Sequence, residues 1–193
     1  MSKLTVRIEY DSDLENPCQE DGWKVYSFST RHASFKHPEK LGFKDGRPGL
    51  GLRRKLETGT AFILSYFEHG SCAWGLKRNT DASGYPWSCP WDSVRVAGLL
   101  VWEGKLKDLG AKTLEARTKD AACFVESYTS WCNGEGYYFS IEDEDGEHID
   151  SCGGFLGSAS VEYMVKDHIL PAIKGREYVV TGDAGGVFED YRP

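Results

Sequence analysis

No apolar run in this 193-residue chain approaches a membrane span. The longest, residues 94–102, has about half the length a spanning helix needs. The first ten residues, MSKLTVRIEY, lack the apolar block and small-residue cleavage site of a secretory signal, so a cytoplasmic chain is expected. There is no C-x-x-C pair among the six cysteines. The chain is also long and apolar enough to fold without a disulfide framework, and reduced thiols are expected. No fixed-period repeat or low-complexity block occurs. Positive charge is not in surplus: 23 Lys/Arg face 30 Asp/Glu, a net of −7. That argues against a general nucleic-acid binder, which would normally carry a basic face, and neither direct nucleic-acid contact nor membrane contact is expected. No cofactor motif is present either, and no cofactor is expected.

What is present is an uneven charge. Residues 1–60 sum to +2 and residues 61–120 to +1, whereas residues 121–193 carry 4 Lys/Arg against 14 Asp/Glu. A second acidic cluster lies at Asp11, Asp13, Glu15, Glu20 and Asp21. If the fold joins the two, they form one extended negative surface. Aromatics reach 13%, with six tryptophans.

Period-2 alternation predicts strands at residues 4–9, 23–30, 60–68, 72–76, 93–102, 137–142, 147–152 and 177–181. The first two read as antiparallel partners. Residues 60–77 read as a hairpin, and Gly98 marks a bulge or a close approach. Asp145-Gly146 is a two-residue hairpin signal. Helical spacing predicts a short helix over 50–57, a long one capped by Thr118, and a last one capped by Ser158 or Ser160 with Val161, Met164, Val165, His168 and Ile169 inward. Cys123 and Cys132 read as small apolar side chains of the long helix. The expectation is α+β, with a mostly antiparallel sheet of about eight strands and two or three helices. It forms one domain over 1–193, with any subdomain break near 77–90 and an extended tail at 182–193.

Several constellations carry chemistry. His69 and Cys72 have H-x-x-C spacing and Cys89 offers a third zinc ligand, although zinc sites usually combine two close pairs. Cys152 stands beside Gly153-Gly154 near a helix start, where backbone N–H groups favour a thiolate. On a regular strand His148, Asp150 and Cys152 share a face, but first and last are too far apart to bond, so a distant histidine is required. Glu142, Asp143, Glu144, Asp145, Glu147 and Asp150 lack the ligand order of a calcium loop. The stretch 46–51, GRPGLG, lacks the Lys-Ser/Thr of a phosphate loop, and Arg53, Arg54 and Lys55 present a basic helix face. Trp87 and Trp91, in the loop YPWSCPW, have the character of interface anchors.

The stretches SYFEHGSCAWGL, WDSVRVAGLLVW, YTSWCNGEGYYFSIED and DSCGGFLG resemble a group of small acidic proteins of bacteriophages and mobile elements, most closely over residues 128–155. That group has no established activity, so no site residue carries over. The resemblance implies an origin in a phage or mobile element and no mechanism; joined to the acidic surface, it leads to the expectation of an accessory protein that binds and inhibits a host protein, such as a defence nuclease. On this reading Glu142, Asp143, Glu144, Asp145 and Glu147 meet a basic groove and Trp87 and Trp91 anchor the contact. The alternatives are a small cysteine hydrolase or transferase built on Cys152, and a zinc-stabilised binding module.

Overall fold

The computed structural model describes residues 3–19 and 22–191; Glu20 and Asp21 of the N-terminal acidic cluster lie outside the described residues. In chain order the elements are β1 (Leu4–Tyr10), β2 (Trp23–Ser27), β3 (Phe43–Lys44), β4 (Arg47–Pro48), α1 (Leu50–Thr58), β5 (Ala61–His69), β6 (Ser71–Leu76), α2 (Lys77–Thr80), β7 (Ser93–Trp102), α3 (Leu114–Cys132), β8 (Gly136–Glu142), β9 (His148–Leu156), α4 (Gly157–Tyr163), α5 (Leu170–Ile173) and β10 (Tyr178–Thr181). The fold is α+β, with ten strands and five α-helical segments among the described residues. None of these helices is long and apolar enough to cross a membrane.

The chain forms two compact units, one from residues 1–15 with 130–193 and the other from 16–129. The boundaries therefore fall ahead of β2 and inside α3, not at 77–90, where α2 and a turn continue the second unit.

Unit 1 is a sheet in the order β10-β1-β8-β9. Its ladders are antiparallel except for β1–β10, which is parallel. Leu4, Val6 and Ile8 of β1 and Phe139 and Ile141 of β8 are fully buried on one face. They pack on the helical segment 157–173 through Val161, Met164, Val165 and Ile169. That stripe follows the sequence period, and His168 joins it by ring contacts to Phe139, Phe155 and Tyr163. The segment starts at Gly157 with no side-chain cap, so neither Ser158 nor Ser160 has the expected role. Its middle, Met164–Ile169, is a π-helical turn directly before Pro171, whose ring nitrogen has no proton to continue the α ladder. The tail is not extended: residues 185–191 form a 3-10 turn that buries Phe188 completely against β1 and β10 side chains.

Unit 2 is a sheet in the order β2-β7-β5-β6, with the β3–β4 ribbon beside it. β5 is interior and apolar on both faces, as its sequence requires. β1 and β2 belong to different sheets, contrary to the expected pairing: β2 pairs with β7 and β1 with β8. Twelve residues containing Pro17 separate them, too long and too polar to dictate a hairpin. α3 begins four residues before the expected cap, because Thr113 Oγ1 accepts the Ala116 N–H at 3.1 Å. Ala121, Val125 and Tyr128 are its buried face, whereas Cys123 and Cys132 are exposed and are not core thiols.

Candidate functional site

Fold unit, more than chain position, organises the charge. Unit 1 holds 6 Lys/Arg and 17 Asp/Glu, a net of −11, and unit 2 holds 17 and 13, a net of +4. The N-terminal acids Asp11, Asp13 and Glu15 share unit 1 with the C-terminal acids. Asp11 is also tied directly to β9, accepting the Gly154 N–H at 3.2 Å. Residues 130–165 contain no lysine or arginine at all.

The β8–β9 hairpin concentrates this charge at a sheet edge, since among the described residues β9 has a partner only in β8. Its tip is not a two-residue turn. The Asp143 N–H donates to Glu147 O at 3.0 Å, leaving three residues in the loop with Gly146 in the left-handed region at φ 79°. Asp143 Oδ1 accepts the N–H groups of Asp145 (3.0 Å) and Glu147 (2.9 Å) and so pins the loop. Asp143 is thus committed to the turn, while Glu144, Asp145 and Glu147 project into solvent. Glu142 and Asp150 are half-buried.

The expected row of His148, Asp150 and Cys152 does not form. Ladder partners share a face; His148 opposes Glu142 while Asp150 and Cys152 oppose Ile141 and Phe139. The bulge at Ile149 therefore turns His148 to the opposite face from the other two. His148 Nε2 is hydrogen-bonded to Ser151 Oγ at 2.9 Å, and the exposed Cys152 Sγ contacts Gly153 O at 3.7 Å. Among the other histidines, His32 is bonded to Ser27 and His69 to Asp92.

His69 and Cys72 likewise diverge. Cys72 opposes Glu68, and His69 opposes Ser71, so the two lie on opposite faces of the hairpin. Asp92, which spacing did not suggest, is the residue that meets His69 and Cys89: its Oδ2 lies 3.2 Å from His69 Nδ1 and 3.3 Å from Cys89 Sγ. Among the described residues no three His, Cys, Asp or Glu side chains are grouped to hold a metal ion.

The two loop tryptophans separate in character. Trp87 is half-buried, its ring lying over Gly75 of β6, and Trp91 is 90% exposed. Both belong to unit 2.

Two features of unit 2 escaped the sequence reading. Ser27 Oγ, in a fully buried residue, meets His32 Nδ1 at 2.7 Å and accepts the Ser29 N–H at 3.0 Å. The His32 ring packs on Tyr66 and Trp74, and burial, assisted by Arg31 and opposed by Glu68, holds it below the ordinary imidazole range. The pair has nucleophile–base spacing, but a serine sealed from solvent meets no substrate, and its role is to fix the turn after β2. A cleft of about 350 Å³ is lined by Trp23, Trp102, Asp108, Asp120, Cys123 and Phe124 among others. Trp23 Nε1 donates to Asp120 Oδ2 there at 2.8 Å. The cleft holds a thiol and carboxylates, and no histidine is among its described lining residues. Nothing in the sequence periodicity relates residues 27 to 32, or 23 to 120.

Thiol reactivity checks the cysteine alternative. Burial pushes the Cys18 thiol up, although the Val25 N–H and Lys24 favour its thiolate. With a small alkylating agent near neutral pH, exposed Cys123, Cys132 and Cys152 should react at similar rates and Cys18 about tenfold more slowly. Selective reaction of Cys152 far ahead of Cys123 and Cys132, followed by mass spectrometry, would instead reveal an activated nucleophile.

No protein-family model matches the chain, and no curated protein and no solved structure matches it.

Proposed function

We propose that this is a binding protein whose acidic β8–β9 hairpin occupies a basic groove on a protein partner. In keeping with the sequence resemblance, the partner is a host protein that normally holds nucleic acid, such as a defence nuclease, and the protein acts in the host cytoplasm as a phage or mobile-element accessory factor. One observation carries the reading: a cation-free acidic strand pair, at the edge of a unit with net charge −11. Complementary potential of this kind raises association rate and selects against acidic partners, and its effect falls with salt. Glu144, Asp145 and Glu147 supply the projecting charge, and Trp91 supplies an exposed apolar anchor on unit 2.

The test is affinity capture from host lysate with partners identified by mass spectrometry. Wild type should retain a nucleic-acid-binding protein at low salt and release it as salt rises. The variant Glu144→Lys/Asp145→Lys/Glu147→Lys should lose that partner while keeping the wild-type melting temperature, because all three side chains are exposed and none is the turn-pinning Asp143. Undiminished capture by the variant would remove the acidic surface from the reading.

A further inference from the structure

The positive charge of unit 2 is as localised as the negative charge of unit 1. Residues 36–57 carry seven Lys/Arg against three Asp/Glu, and the rest of unit 2 carries ten against ten. The whole surplus therefore comes from one segment, and the fold dictates where its side chains go. The 3-10 turn Pro38–Leu41, the β3–β4 ribbon and α1 all set apolar side chains into one cluster: Leu41, Phe43, and Leu52 with Leu56, against Ala61, Leu99 and Val101 of the sheet.

What each element turns away from that cluster is mostly cationic, with the exposed Glu39, Asp45 and Glu57 interspersed. In the ribbon Lys44 opposes Arg47 and Phe43 opposes Pro48, so with Phe43 inward Lys44 and Arg47 point outward. On α1, where Leu52 and Leu56 face the cluster, a step of about 100° per residue puts Arg54 diametrically opposite and fans Arg53 and Lys55 to either flank. Lys40 precedes the inward Leu41. All six side chains are exposed. Among the described residues none of the six is paired with a carboxylate. α1 adds to the field, having no acid in its first turn and no side-chain cap, so that the positive end of its dipole is uncompensated.

We propose that this layer, formed by Lys40, Lys44, Arg47, Arg53, Arg54 and Lys55, is a binding surface for the phosphate backbone of a nucleic-acid duplex. Three of the six are arginines, whose fork matches phosphate oxygens. The one aromatic of residues 36–57, Phe43, is buried, so the layer offers no ring to stack on an unpaired base, and the contact is to backbone without sequence readout. An acidic protein partner would call for aromatic anchors at the centre of the interface, and residues 36–57 supply no exposed aromatic. The net charge of the chain, −7, conceals this surface because the compensating acids lie in the other unit. The inference is independent of the acidic hairpin, and the two tests fail separately.

Fluorescence anisotropy with a short labelled DNA duplex reads it directly. With six phosphate contacts, log K should fall against log salt with a slope near −5, so that affinity drops on the order of 10³-fold between roughly 50 and 200 mM salt. Arg53→Glu/Arg54→Glu should weaken binding at the lower salt at least about tenfold and make the slope shallower by about 2. Lys105→Glu/Lys107→Glu makes the same charge change at exposed positions of unit 2 outside the layer and should shift affinity less than about twofold. Absence of duplex binding at low salt, equal effects of the two double variants, or tighter binding to a polyglutamate peptide than to the duplex would each overturn the proposal. Melting curves of both variants separate lost binding from lost folding.

Discussion

Phe188→Ala is expected to destabilise unit 1 by about 3–5 kcal/mol, one of the two largest single-residue effects in the protein. Phe188 is fully buried although only five residues of the sequence follow it, in a segment with three glycines within five residues. Its ring makes an edge contact with Tyr178 of β10 at a centroid distance of 6.0 Å. The 3-10 turn that carries it is tied to the central part of the sheet, the Ala184 N–H donating to Ile8 O at 3.1 Å and the Tyr10 N–H to Asp183 Oδ1 at 3.0 Å. Truncation to alanine leaves a cavity between β1, β10 and the helical segment. Thermal unfolding should move down by on the order of 10 °C, while Phe188→Leu, which retains most of the volume, should recover the greater part of the loss. A melting temperature for the alanine variant within a degree of wild type would mean that the tail is not part of the core.

The second large effect is expected at Gly98, on the interior strand β7. A Cβ placed there would lie 2.3 Å from Tyr26 O and 3.2 Å from Ser27 Cα, both main-chain atoms of β2. Backbone cannot rotate out of the way as a side chain does, so the β2–β7 ladder would have to open. Gly98→Ala should cost about 3 kcal/mol, the upper end of the usual range for overpacking. Gly51→Ala is the control of opposite sign. Gly51 lies inside α1 with no atom of the described residues within 4 Å of its Cβ position, and the substitution should stabilise by roughly 0.5–1 kcal/mol. Denaturant titrations of the two variants should shift their midpoints in opposite directions. A neutral Gly98→Ala would show that β2 does not approach β7 so closely.

The charge arrangement bears on both binding proposals. A protein uniformly acidic over its surface would repel phosphates everywhere. Confining the acidic surplus to unit 1 and the basic surplus to residues 36–57 of unit 2 lets one chain present two electrostatic characters. Raising the salt should weaken both contacts, so variants, more than ionic strength, distinguish them.

Much of the fold is written locally. The alternation of Leu4, Val6 and Ile8, the two-sided apolar character of β5, the turn at Gly70 and the inward stripe of Val161, Met164, Val165 and Ile169 each follow from periodicity, because burying such a pattern requires one element type and one face. Gly98 also announced itself: it flanks the register shift between β5 and β7 and lies against β2. The acidity of residues 142–147 and the basic face of α1 were legible for the same reason, since exposed charge in a turn or opposite an apolar stripe needs no tertiary information.

Tertiary structure alone decided the rest. Which strand pairs with which depends on contacts between residues far apart in the chain, and so β1 joined β8 and β10 instead of β2. The sharing of one unit by Asp11 and the C-terminal acids is a consequence of that pairing. Single inserted residues decided two site questions: the bulge at Ile149 put His148 and Cys152 on opposite faces, and the three-residue loop at the hairpin tip made Asp143 a turn residue. A period-2 pattern cannot register an insertion that the partner strand, not the strand itself, defines.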